Sequence, residues 1–185
     1  MSRIVYKVAG TNDEFEQIFR LNHATFAVEI PQHAPQPDAR LIDRFHPENT
    51  YVVGLHGSEV VAMIAYRSRR PFSLDQKLPD LDRHLRQPSR PCELRLLAIK
   101  PAWRVHRVLD GLLRALIREL LQRDFDLALI SGTLRQQRLY LRLGFQPFAH
   151  PVGTDKAMFQ PMQLPLGRAR ASKPGLFGGE QVDAP

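Results

Sequence analysis

Between residues 92 and 131 the sequence changes period twice. "CELRLLAIK" (92–100) alternates like a strand, and "PAWRVHRVLDGLL" (101–113) then opens a helix. Leu109, Leu112, Leu113, Leu116, Leu120 and Leu121 fall on one apolar helical face, and "DLALIS" (126–131) is again a short apolar strand. Strand, helix, strand is a βαβ crossover, and a crossover needs a sheet to lie on. That confines the chain to the α/β and α+β classes. With 185 residues it has enough length for one domain with one sizeable core.

The remaining segments fill in that sheet. "RIVYKVA" (3–9) has strand composition. The next helix starts with Thr11 and Glu14 at capping-box spacing, and Phe15, Ile18, Phe19 and Phe26 follow its period. Residues 31–47 form a long proline-rich loop, and long ordered loops often carry function. "TYVVGLH" and "EVVAMIAYRS" are β-branched runs joined through Gly57 and Ser58, which predicts a hairpin. Residues 71–91 read as a polar insert with one short helix. "TLRQQRLYLRLG" is a short helix stopped by Gly144, and "FQPF" and "KAMFQPMQL" are two closing strands. The expected domain spans 1–166. The glycine- and proline-containing stretch 167–185 is expected to be a flexible tail or linker.

Composition excludes several classes. No apolar run approaches the roughly 20 residues needed to cross a bilayer, and "MSRIVYKVAG" lacks a signal peptide's apolar region, so a cytoplasmic location is expected. Cys92 is the one cysteine, so no internal disulfide forms. The seven histidines include no pair at helical ligand spacing, so no metal site is expected. The net charge of +7 suits an acidic partner. The arginines are dispersed and no base-stacking motif occurs, which argues against nucleic acid.

Three places can carry chemistry, each with a plain alternative. Glu93 and Arg95 share one side of the strand at 92–100, opposite Cys92, Leu94, Leu96 and Ala98. They are either an i, i+2 ion pair or a carboxylate set as a general base. Tyr140 is either a core aromatic or a phenol that protonates a leaving group. The turn "WRVHR" exposes backbone N–H groups at a positive helix end beside Arg104 and Arg107. It is either a solvated basic turn or an anion site.

Taken together, "ELRLLAIKPAWRVHRVLDGLLRAL", "DLALIS" and "RLYLRLGF" resemble the core of the GNAT (GCN5-related N-acyltransferase) superfamily. Its members carry an Arg/Gln-x-x-Gly-x-Gly/Ala donor loop and a later Leu-Tyr-x-x-x-Gly-Phe motif. The likeness covers roughly residues 92–148. Within the superfamily, "CELRLLAI", "VAMIAYRSRRPFSLDQKLPDL" and "RLIDRFHPENTYVV" are similar to the autoinducer synthase and N-acyl amino acid synthase branch.

The resemblance implies a mixed sheet of about six to seven strands flanked by helices, with a splayed strand pair at the acyl-donor site. It implies an N-acyltransferase that moves an acyl group from acyl-CoA or an acyl carrier protein to an amine, with amino acids among the acceptors, and no metal. It places Tyr140 as the acid for the departing thiolate and Glu93 as the base for the amine. Leu97, Ala98 and Ile99 match the segment that holds the pantetheine arm. Arg104, Val105, His106, Arg107 and Val108 match the donor phosphate loop. Arg67 and Asp43 match acceptor-site positions. Where the family loop has glycines this chain has Val105 and Arg107, and where it has an asparagine before the tyrosine this chain has Thr133. The competing expectation is a non-catalytic member of the fold that binds an acyl or acidic ligand as a sensor or as a module of a larger protein.

Overall fold

A computed structural model describes residues 3–154 and 157–167. The chain divides into two compact units. One comprises the residues up to Phe72 together with Cys92–Leu116; the other comprises Ser73–Pro91 together with the residues from Ile117 onward.

The first unit is a four-stranded antiparallel sheet. β1 (Ile4–Val8), β2 (Asn49–His56), β3 (Glu59–Arg67) and β4 (Pro91–Ile99) follow one another in space as in sequence. β2 and β3 form the expected hairpin, closed at Gly57, whose φ of +62° suits glycine. Every residue of β3 from Val60 to Arg67 is buried, so this strand is covered on both faces and reads as a continuous apolar run. Helix α1 (Asn12–His23) lays Ile18, Phe19 and Leu21 on Tyr51, Val53, Met63, Ala65 and Ala98. Ile18 has no exposed surface, so Ile18→Ala costs about 2–5 kcal/mol.

The capping box forms as expected. Glu14 N–H donates to Thr11 Oγ1 at 3.2 Å, and Thr11 N–H donates back to Glu14 Oε2 at 3.2 Å. Burial pushes the Glu14 carboxyl up, but Lys7 and the capped backbone N–H groups outweigh it and hold the pKa below its ordinary value. Beyond His23 the helix widens into a π-helical stretch, Ala24–Glu29.

Strict alternation along β4 fails at one point. Between the pairs Met63↔Ala98 and Ala65↔Arg95 the register shifts, so Leu96 and Leu97 oppose Ile64 alone. Leu96 takes a left-handed conformation, φ +56°, which costs a leucine about 1–2 kcal/mol. The bulge corrects the expectation that Ala98 faces away from Arg95. Ala98 pairs with Met63 and joins the core under α1, on the face that carries Arg95.

The second unit is also antiparallel. β5 (Leu127–Thr133) pairs with β8 (Ala157–Pro165), and β6 (Gln146–Pro147) and β7 (Val152–Thr154) also pair with β8. The strands thus number eight among the described residues. The one not anticipated is β7, three residues long. The segment read as polar supplies core here: Leu74, Leu81 (in the short helix α2, Leu81–His84) and Leu85 are all buried. Helix α3 runs His106–Gln122, of which only the part from Ile117 belongs to this unit, and α4 runs Gln137–Arg142. Gly144 ends α4 with φ +96°, and Phe145 N–H closes the turn on Tyr140 O at 3.0 Å. Residues 168–185, nearly all of the expected tail, lie outside the described residues. Among the described residues no helix is long and apolar enough to cross a membrane.

Candidate active site

In the first unit the sheet carries two polar rows across its strands. Asn49, Arg67 and Glu93 are register partners on β2, β3 and β4. Tyr51, Ala65 and Arg95 form the next row on the same face. The long loop before β2 lies on these rows. Its Asp43 takes Arg95 Nη2 at 2.8 Å, Asn49 Nδ2 at 3.0 Å and the backbone N–H of Phe45 at 3.0 Å. Arg95 Nη1 also lies 3.6 Å from Glu93 Oε2. The structure therefore brings together three residues expected from sequence, Asp43, Arg67 and Glu93, and adds Arg95 as the link between two of them.

Phe45 is the centre of this cluster. Its ring lies 3.7 Å from the Arg67 guanidinium carbon, 4.7 Å from that of Arg95 and 4.5 Å from that of Arg44. Such cation–π contacts are worth about 2 kcal/mol or more when desolvated. Arg67 is 1% exposed, and its Nη2 meets Glu48 Oε2 at 2.5 Å. Its Nε and Nη1 have no hydrogen-bond partner, nor has Arg95 Nε or Asn49 Oδ1. A buried polar atom left unmatched costs about 1–3 kcal/mol. The cluster thus holds unmatched donors on two arginines and an unmatched acceptor on an asparagine. Tyr51, beside them, donates to or accepts from His46 Nδ1 at 3.2 Å and accepts from Asn49 Nδ2 at 3.1 Å. Burial, and next to it the neighbouring Asp43 charge, push its phenol up to about 12 against the pull of the Asn49 bond.

The turn into α3 is not an open cradle. Trp103 N–H bonds Lys100 O, Val105 N–H bonds Trp103 O at 2.8 Å, and Val108 N–H bonds Val105 O at 3.0 Å. Arg104 Nε donates to Ile99 O at 3.0 Å, and both terminal nitrogens clasp Glu29. That pairing raises the Arg104 pKa. Three of the five loop residues, Arg104, Val105 and Val108, thus spend their N–H groups inside the turn, and Arg104 spends its guanidinium on Glu29 as well. Val108 is buried, and its carbonyl accepts from the Tyr6 hydroxyl at 3.3 Å. Gly111, the one glycine of the stretch, makes room for the Tyr6 ring rather than for a phosphate. His106 and Arg107 are the exposed residues of the first helical turn.

In the second unit Tyr140 is set by three contacts. Its hydroxyl donates to Gln136 Oε1 at 3.1 Å, its ring meets Phe145 edge-on with centroids 6.3 Å apart, and its Cδ2–Cε2 edge abuts Gly132. A Cβ on Gly132 would lie 2.7 Å from Tyr140 Cε2. Burial raises the phenol pKa above its ordinary value. Among the described residues no group of three or more His, Cys, Asp or Glu side chains is placed to hold a metal ion.

The model of the family described as N-acyl amino acid synthase FeeM matches residues 17–164. The chain belongs to that family. It is an N-acyltransferase, moving an acyl group from a thioester donor to an amine. Among curated proteins none matches the chain in sequence. In structure it is similar to the acyl-homoserine lactone synthase LasI, at 16% identity over 100% of each chain with a TM-score of 0.76. It is similar to the CoA-dependent acyl-homoserine lactone synthase BjaI, at 19% identity over 94% of this chain and 87% of that one, TM-score 0.74. FeeM, an N-acyl amino acid synthase from uncultured soil microbes, aligns at 14% identity over 92% of this chain and 95% of its own, TM-score 0.72. At these identities the structural likenesses establish the fold.

Sequence reasoning missed Asn49, Phe45 and Tyr51 as members of the cluster. A signal was present: Asn49 and Tyr51 alternate onto one face of β2, and Asp43 and Phe45 stand two apart in the loop before it.

Proposed function

We propose that this FeeM-family chain N-acylates an amino acid whose carboxylate is held by Arg67 and Arg95. The observation that supports this most is the set of unmatched polar atoms around Phe45. Donors on Arg67 and Arg95 suit a carboxylate, and the Asn49 Oδ1 acceptor suits an amine N–H. An α-amino acid carries those two groups on one carbon atom. The Phe45 ring covers the face of Arg67 and leaves the in-plane N–H groups to the carboxylate.

In this reading Glu93 takes the proton from the attacking amine. The amine nitrogen bonds the thioester carbonyl carbon, the carbon–sulfur bond breaks, and Tyr140 gives its proton to the departing thiolate. Supporting the roles, Glu93 is a register partner of Arg67, and the Tyr140 hydroxyl is held by Gln136. A backbone N–H of the Leu97–Ile99 segment, just after the bulge, is assigned to the pantetheine arm and the oxyanion. Of the α3 turn, His106 and Arg107 are left as the phosphate contacts, since Arg104 is held by Glu29.

The test is thiol release from acyl-CoA and acyl carrier protein with a panel of amino acids, with the N-acyl product identified by mass. Glu93→Gln and Tyr140→Phe each lower kcat at least tenfold, within the range of general acid–base catalysis. Turnover with simple amines but none with amino acids overturns the reading.

A further inference from the structure

Asn22, in the last turn of α1, has no exposed surface, and neither its Nδ2 nor its Oδ1 has a hydrogen-bond partner. Folded chains match nearly all of their buried polar atoms, so an amide with neither half matched is rare and costly. Leucine, close to asparagine in shape, would fill the same place without that cost. The fold alone therefore does not call for asparagine here.

The position of Asn22 ties it to the donor half of the site. It stands four residues after Ile18 and four before Phe26, on the buried stripe of α1 and its continuation. Both of those residues pack in the cluster that joins α1 to the sheet, and the β4 members of that cluster are Leu96 and Ala98. Ala98 lies in the segment assigned above to the donor. Arg95, assigned to the acceptor's carboxylate, precedes the bulge. Directly after His23 the helix is π-wound, from Ala24 to Glu29, and such stretches recur at functional sites.

The chemistry of the amide says what would match it. Nδ2 donates and Oδ1 accepts. A single hydroxyl answers both, accepting from the first and donating to the second. A ketone answers Nδ2 alone, and a plain alkyl chain answers neither. The neighbours Ile18, Phe26, Leu96 and Ala98 are apolar, which suits hydrocarbon on either side of that hydroxyl.

We infer that Asn22 grips a hydroxyl on the acyl chain of the donor, so that hydroxylated acyl groups are the preferred cargo. The proposal rests on the acyl-transfer reading and narrows its donor. Dodecanoyl-CoA is compared with α-hydroxy-, β-hydroxy- and β-oxododecanoyl-CoA, on the wild type, on Asn22→Leu and on the smaller Asn22→Ala, which guards against misfolding. Binding is read first, as the thermal shift each donor gives without an acceptor. Turnover with one amino acid is read second, as kcat/KM. In the wild type a hydroxylated donor is expected to surpass dodecanoyl-CoA roughly tenfold or more, with the β-oxo donor below it. Both variants erase that order. A wild type that takes all four donors alike overturns the proposal, as does an order that survives in both variants. A preference for serine over alanine as acceptor that the variants abolish, with the donors taken alike, gives the hydroxyl to the acceptor and overturns the donor assignment. Thermal shifts in the expected order without turnover of any thioester uphold the Asn22 contact and count instead against the acyl-transfer roles of Glu93 and Tyr140.

Discussion

Gly132 of β5 abuts the Cδ2–Cε2 edge of the Tyr140 ring, close enough that a Cβ would come within 2.7 Å of Cε2 and 2.8 Å of Cδ2. Real Cβ atoms do not approach so near, so any side chain at 132 turns or pushes the tyrosine. Gly132 thereby positions the ring while Gln136 holds its hydroxyl.

Gly132→Ala is expected to lower kcat at least tenfold while KM for donor and acceptor stays within about twofold, because a misplaced acid slows chemistry without touching binding. A folded variant with unchanged kcat would show that the phenol's placement does not matter.

The clasp between Arg104 and Glu29 bears on the donor. With Glu29→Gln the guanidinium loses its carboxylate and becomes available at the positive end of α3. Coenzyme A binding should then tighten several-fold at low salt, and the gain should fade as salt is added. Unchanged affinity means that the turn does not face the phosphates. Arg107→Ala should weaken the donor in the wild-type background.

Tyr6 and Gly111 give a sign test. Alanine is favoured over glycine inside a helix by about 1 kcal/mol, but at 111 a Cβ meets the Tyr6 ring. Gly111→Ala is expected to destabilise the wild type by about 1 kcal/mol, since it displaces that ring and breaks its bond to Val108 O. In a Tyr6→Ala background the same change should stabilise by up to about 1 kcal/mol. Denaturant melts of the four proteins read the reversal.

Much of the architecture was legible because it follows from period. The capping box at Thr11, the Gly57 hairpin, the strand at 92–100 and the Gly144 stop each rest on local chemistry. What was not legible depends on contacts across the fold. The bulge at Leu96 carries no glycine or asparagine to announce it, and it overturned the face expected for Ala98. Residues 71–91 looked polar because their buried leucines are spaced too irregularly to show a period. At the candidate site, Glu93 and Arg67 were nameable from motif likeness. The ring of Phe45 among three guanidiniums was not, since it needs a loop and two strands to meet.

Tyr51 sets an alkaline limit on stability. Burial raises its pKa to about 12 from an ordinary 10.0, so the folded state holds the proton more tightly than the unfolded state. Its contribution is complete below pH 10 and is lost as pH rises from about 10 to about 12, on the order of 3 kcal/mol in all. Tyr51→Phe should flatten that part of the stability curve. A Tyr51→Phe profile parallel to the wild type across this range would contradict it.

The central claim is that Arg67 and Arg95 hold the acceptor's carboxylate. The most direct measurement is kcat/KM for an amino acid against its own carboxamide, in the wild type and in Arg67→Gln. The wild type should favour the free acid by roughly ten- to hundredfold, the worth of a charge-assisted hydrogen bond, and Arg67→Gln should erase most of that preference. Equal rates for acid and carboxamide in the wild type, or a preference that survives Arg67→Gln, would contradict the claim.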